Sequence, residues 1–416
     1  MNDLNYLFIF IFILLLKNSI ELYLQYRNRK SIINNISKVP EEFSDSITLD
    51  EHQKAAKYQL ANLYFGIVLR FYSLALLLGW TLFGLLSDLS ESIFNLTDSE
   101  YINSAIFIFF FVLISQFLSL FPSIVSTFYI EDKYGFNNTT VQTFILDKIK
   151  NFILSLTISL PMYLLVIFFI NTFINNWWLM SFISFTIFQF LILLIYPTVI
   201  APLFNKFEKL DDPEYESVIN ELLNKTDFKS DGLFVMDGST RSNHGNAYFT
   251  GLGSRRRIVF YDTLLKTLNP GEVEAVLAHE LGHYKKKHIQ WSMFTMSIVS
   301  LLSFYILFLL FNNDNFFILH GLSFISTTSK LFLFLLIADV YTFFTTPVSS
   351  FFSRKREFES DNYSIEYSDG KNMISALIKL IKDNASTLTP DHLYSKYYYS
   401  HPPAKERIEN IKKRLN

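Results

Sequence analysis

The sequence predicts an all-α membrane protein of about seven transmembrane helices, with a small α+β segment outside the bilayer. Three observations point there. Half of the 416 residues are hydrophobic and 45 are phenylalanine, too apolar a composition for an ordinary soluble protein. The apolar residues gather into runs of about twenty, the length that crosses a bilayer, separated by charged stretches. Between residues 204 and 290 such runs give way to short helical and strand patterns. The chain has no cysteine, which excludes disulfides, thiolate nucleophiles and Cys-type metal sites. A net charge of −2, without basic blocks interleaved with aromatics, gives no sign of a nucleic-acid partner.

The spans fall near 4–24, 60–86, 103–129, 152–174, 177–203, 291–312 and 328–352. The first lies in Met1 to Tyr26, which reads as an uncleaved helix. No basic stretch precedes it, Lys17 and Glu21 interrupt its far end, and no small-residue cleavage site follows. Arg70 sits inside the second span, where a charge is costly; it either snorkels or pairs within the bundle, or else it lines a water-filled interior. A tight turn at Asn175-Asn176 joins the fourth and fifth spans, with Trp177 and Trp178 suited to the interface. Pro122, Pro161, Pro197, Pro202 and Pro347 mark kinks or span ends.

Loop charges set the orientation. The 25–57 connection carries Arg27, Arg29, Lys30, Lys38, Lys54 and Lys57, whereas 87–102 is acidic and has no Lys or Arg. The 130–151 loop carries Lys133, Lys148 and Lys150, and 313–327 has no Lys or Arg. By the positive-inside rule the N-terminus is outside, and 25–57, 130–151, 204–290 and 353–416 face the cytoplasm. The expected organisation is a five-helix membrane region over 1–203 and a cytoplasmic segment over 204–290. The sixth and seventh helices follow over 291–352, then a cytoplasmic C-terminal segment over 353–416.

Within 204–290, residues 213–225 have a helical pattern with Pro213 suited to the first turn. Gly232–Asp237, Ala247–Thr250 and Arg257–Tyr261 read as strands of a small sheet, with a turn at Gly251-Leu252-Gly253-Ser254. Asn269-Pro270-Gly271-Glu272 then starts a helix with an Asn cap, Pro at its first position and Glu at its third. That helix carries His279-Glu280-Leu281-Gly282-His283. Spacing of four puts both imidazoles on one face, able to hold one metal ion, with Glu280 beside the open position as a base for its water. Lys285, Lys286 and Lys287 lead to the apolar run from Ile289, so one continuous helix is expected to carry the ligands and enter the membrane.

Two histidines leave a catalytic zinc site one protein ligand short. The orientation returns the chain to the same side at Ser353–Asp361. There Glu357 and Asp361 share a helical face. Glu357 can complete a His₂Glu site, Asp361 can support it or donate a proton, and Glu359 is expected in solvent. The pattern reads as a zinc peptidase.

Several further stretches strengthen this reading. Ile130–Thr140, Ala201–Phe207, Asp237–Phe249, Arg257–Leu264 and Tyr399–Pro403 with Glu406-Arg407 resemble segments of the type I CAAX prenyl proteases. The resemblance implies seven transmembrane helices enclosing a chamber and a gluzincin-like metallopeptidase segment. It implies one Zn²⁺ per chain, held by His279, His283 and Glu357, with Glu280 as base and Asp361 as proton donor. Asn246, with Ala247 and Tyr248, would lie on an edge strand that pairs with the substrate backbone, and His401 would stabilise the oxyanion. The substrate would be a prenylated or lipid-anchored C-terminal peptide losing its last three residues. A monomer among membrane lipids is expected, in the endoplasmic reticulum of a eukaryote or the inner membrane of a bacterium, with its active site facing the cytoplasm. Departures from the family pattern are Ser350 for Asn, Ser360 for Ala and Gly245 for Ser.

Two other readings compete. One keeps the fold and chemistry for quality control of membrane proteins. The other is a seven-span transporter or receptor-like protein with an incidental histidine pair. His52, His244, His288, His320 and His392 read as structural or exposed, with His244 able to touch the cleft.

Overall fold

The computed structural model describes residues 4–250 and 256–415; the turn expected at 251–254 lies outside them. Among the described residues, seven helices are long and apolar enough to cross a membrane. They run longer than the apolar stretches alone indicate. The first, α1 (Leu4–Asn35), continues past its apolar part and buries Asn28 and Ile32. The second, α2 (Leu49–Trp80), starts early because Thr48 and Glu51 form a reciprocal capping box. It also ends six residues before the expected limit of 86. Gly84 turns the chain in the left-handed region, at φ +81°, into a separate amphipathic helix at Leu85–Phe94.

The third span begins with α3 (Glu100–Leu118) and reaches Tyr134 through a π-helical stretch. The fourth is α4 (Val141–Thr172), and the fifth starts as α5 (Trp177–Ile195) and ends at Phe204. Phe107, Ile108, Ile167, Leu333 and Val340 are among the side chains that close the bundle core. Phe12, Val68 and Ile187 stay uncovered, as suits a hydrocarbon solvent. The internal pairing expected of Arg70 is present. Its guanidinium pairs with Glu21, and both residues, with Lys17 and Asp339, line a cavity of about 720 Å³ between the spans.

The extramembrane segment follows. Strand β1 (Phe207–Lys209) leads to α6 (Pro213–Lys225), which Asp212 caps. Strands β2 (Leu233–Met236), β3 (Ala247–Thr250) and β4 (Arg257–Tyr261) complete a sheet of order β1-β2-β4-β3. The β2–β4 pair is parallel, whereas β1–β2 and β3–β4 are antiparallel, so β3 is an edge. Its approach is fixed from the membrane side. The backbone of Asn138 donates to Arg241, that of Asn243 to Phe136, and the Arg241 guanidinium grips Asp147 at 2.8 Å and 3.0 Å.

The sheet covers α7 (Pro270–Lys285) through Ile258, Phe260, Leu277 and Leu281. The chain does not continue from α7 into the membrane as one helix. Lys287 adopts φ +59° and ψ 32°, and α8 (His288–Phe311) starts anew beyond it. The seventh span also has two parts, α9 (Thr327–Thr342) and α10 (Thr346–Tyr367). Its lower half packs along α7 so closely that a Cβ on Gly282 would meet Ser360 Cα at 2.9 Å. Helices α11 (Gly370–Asp383), α12 (His392–Tyr398) and α13 (Ala404–Leu415) close the domain. Met373, Leu377, Ile408 and Ile411 pack there against Phe43 and Ile47 from the loop after α1.

Candidate metal centre and active site

Helix α7 supplies His279, Glu280 and His283, and α10 supplies Glu357 and Asp361 one turn apart. Nε2 of His279 lies 3.3 Å from Nε2 of His283. Glu357 reaches both, with Oε2 at 3.4 Å from His279 and Oε1 at 3.2 Å from His283. One donor atom from each residue falls within 4.8 Å of the other two. Glu357 is 3 % exposed and its Oε2 has no hydrogen-bond partner.

This donor set fits a cation. A buried carboxylate oxygen without a donor is costly, and two imidazole nitrogens facing each other leave lone pairs to be shared. The outer nitrogens are engaged elsewhere. Nδ1 of His279 is 2.9 Å from Asp361 and Nδ1 of His283 is 3.0 Å from His288. Burial alone would disfavour a charged ring at His279, yet the Asp361 and Glu357 carboxylates outweigh it and lift the ring to about 9. Two histidines and a glutamate are a common set for catalytic zinc.

A cleft of about 570 Å³ opens over the site, lined by Asn246, Ala247, Glu280, Glu357 and His401 among others. Burial raises the Glu280 carboxyl above its ordinary value. His401, in the turn between α12 and α13, places Nε2 3.4 Å from Glu357 Oε1. The carbonyl of Asn246 accepts from Tyr261 and its side-chain Oδ1 from Ala247.

Four expected side chains are placed otherwise. Strand alternation turns Tyr248 away from the cleft, and its ring meets Tyr261. Asp361 is fully buried behind His279 and does not line the cleft. Glu359 is not free in solvent but bonds His288 at 3.0 Å. His244 also misses the cleft; it stacks on Phe136 and bonds Asn384.

Arg407 belongs to the site as well, although no local pattern marks it. This buried side chain donates from Nε and Nη2 to the two oxygens of Asp361, at 2.9 Å and 2.5 Å. Its Nη1 stands 3.6 Å from Glu357. The available signal was an arginine on the Ile408–Ile411 side of an otherwise charged helix.

A seven-span bundle with a His-Glu-x-x-His helix and a converging glutamate defines an integral multi-pass membrane metalloprotease. Residues 29–206 match the family "CAAX prenyl protease N-terminal, five membrane helices", and residues 209–415 match "Peptidase family M48". The chain belongs to the CAAX prenyl protease 1 family of M48 peptidases. It is 34 % identical to CAAX prenyl protease 1 homolog of Dictyostelium discoideum, with 99 % of this chain and 98 % of that one covered. It is 33 % identical to CAAX prenyl protease 1 of Saccharomyces cerevisiae, covering 94 % and 91 %. The crystal structure of Ste24p from S. mikatae superposes with a TM-score of 0.92 at 31 % identity, over 98 % and 99 % of the chains. The transporter or receptor-like reading is set aside.

Proposed function

We propose that the chain is a zinc endopeptidase that removes the C-terminal tripeptide from prenylated CAAX-type proteins, with its active site facing the cytoplasm. It would work as a monomer among membrane lipids, in the endoplasmic reticulum if the host is a eukaryote and in the inner membrane if it is a bacterium. The observation that carries this is the meeting of His279, His283 and Glu357 under a cleft bordered by an edge strand. The names of the relatives supply the substrate class.

Zinc held by His279, His283 and Glu357 would supply Lewis acidity, polarising the peptide carbonyl and letting water attack near neutral pH. Glu280 takes a proton from the attacking water and returns it to the leaving amine. Its raised affinity for protons, caused by burial, suits that exchange. His401 stands across the cleft as a donor to the oxygen of the carbonyl under attack. The backbone next to Asn246 and Ala247 pairs with the extended substrate. Asp361, fixed by Arg407, holds the His279 ring in place and moves no proton.

Incubating purified protein with a farnesylated peptide ending in a CAAX sequence, followed by mass spectrometry, tests the proposal. The expected product lacks three residues and vanishes when a chelator is added. An intact farnesylated peptide alongside degradation of a misfolded membrane protein would instead favour quality control.

A further inference from the structure

Behind His283 stand two side chains the mechanism leaves unused. His288, 6 % exposed, opens α8. Its Nδ1 is 3.0 Å from Nδ1 of His283, and its Nε2 is 3.0 Å from Oε2 of Glu359 on α10. The two rings meet edge to face, with centroids 5.1 Å apart and planes at 76°.

The break between α7 and α8 makes this contact possible. On one continuous helix, residues five apart are separated by about 140° around the axis, and the rings would diverge. The left-handed conformation of Lys287 costs roughly 1 kcal/mol or more in a residue with a side chain. It turns the first residue of α8 back beneath His283. A second rung holds the arrangement, because Arg356, three residues before Glu359, donates at 2.6 Å to Ser292, four residues after His288.

The hydrogens can be placed from chemistry. A carboxylate only accepts, so Nε2 of His288 carries the hydrogen facing Glu359. Nδ1 of a neutral His288 is then an acceptor, and the hydrogen between the two Nδ1 atoms belongs to His283. Nε2 of His283 is left with its lone pair, facing His279 and Glu357. We propose that the Glu359–His288 pair is a positioning device for His283, fixing its tautomer and ring angle as Asp361 and Arg407 fix those of His279. This rests on the metal reading of the site.

Zinc affinity of purified full-length protein, measured by chelator competition, tests it. Replacing His288→Leu removes the acceptor and should weaken zinc binding by about 10–100-fold. His288→Asn, whose side-chain oxygen can stand in for Nδ1, should restore affinity to within several-fold of wild type. Glu359→Ala should weaken binding to between these two. Cooperative melting of each zinc-free variant checks that it is folded, so that the loss read is one of zinc affinity. Wild-type affinity in H288L, or an equal loss in H288N and H288L, overturns the inference. Should H288L not fold, unchanged affinity in E359A overturns it alone. Wild-type protein that takes up no zinc removes the metal reading and this inference with it; zinc-binding wild type with unaffected variants removes only this one.

Discussion

Gly282 lies between the two histidines of the metal helix and faces α10. An alanine Cβ there would sit 2.9 Å from Ser360 Cα and 3.0 Å from Tyr363 Cβ. Neither atom can rotate away, and comfortable carbon contacts lie at about 3.5–4.0 Å. The helices would have to separate by roughly 0.5–1 Å at this level. Glu357 is one turn from Ser360, so the third donor moves with α10 while His279 and His283 stay on α7. Metal sites hold ligand distances to within about 0.2 Å, and the displacement exceeds that several-fold. Gly282→Ala should therefore cost about 1–3 kcal/mol of stability through overpacking. It should also weaken zinc binding and lower turnover by up to about 100-fold, the scale of a 1 Å misplacement. Chelator competition and cleavage of a farnesylated peptide read the two effects. Wild-type zinc affinity together with wild-type turnover in G282A would show that the α7–α10 spacing does not set the ligand geometry.

Glu280→Gln should keep zinc and lower cleavage by about 100-fold or more; full activity in the purified variant would contradict the base assignment. Arg407→Met strands the buried Asp361 and should cost about 3–5 kcal/mol, seen as a lower melting temperature. Glu272 supplies a pH test away from the metal. Burial would raise its carboxyl, but hydrogen bonds from Lys379, Ser375 and the Asn269 backbone outweigh that and lower it. A group depressed in the folded state stabilises above its unfolded pKa of 4.5 and loses that contribution as pH falls through its folded value. Glu272→Gln should thus lower the melting temperature at pH 7, and the gap to wild type should narrow well below pH 4.5. A gap that stays constant would contradict the assignment.

How much was legible follows from how local each signal is. The helix at 213–225 and the strand at 257–261 were read with their observed bounds, because Pro213 and the β-branched run act within a few residues. The His279–His283 pair was legible because spacing of four fixes one face. Glu357 was reachable only through topology, from counting one excursion across the membrane and back. The break at Lys287 was hidden, since lysine carries no signal for a left-handed conformation, and with it the roles of His288 and Glu359. Arg407 acts across 46 residues on Asp361, beyond any local pattern. The extensions of α1 and α2 were missed for another reason: apolar length marks where a helix crosses the membrane, not where it stops.

Three side chains and one ion make the site, and the zinc content of purified protein reports on them together. Wild-type protein should carry about one zinc per chain, and Glu357→Ala almost none after mild chelation. A wild-type chain without zinc, or an E357A variant that holds it as firmly, would contradict that three-ligand site.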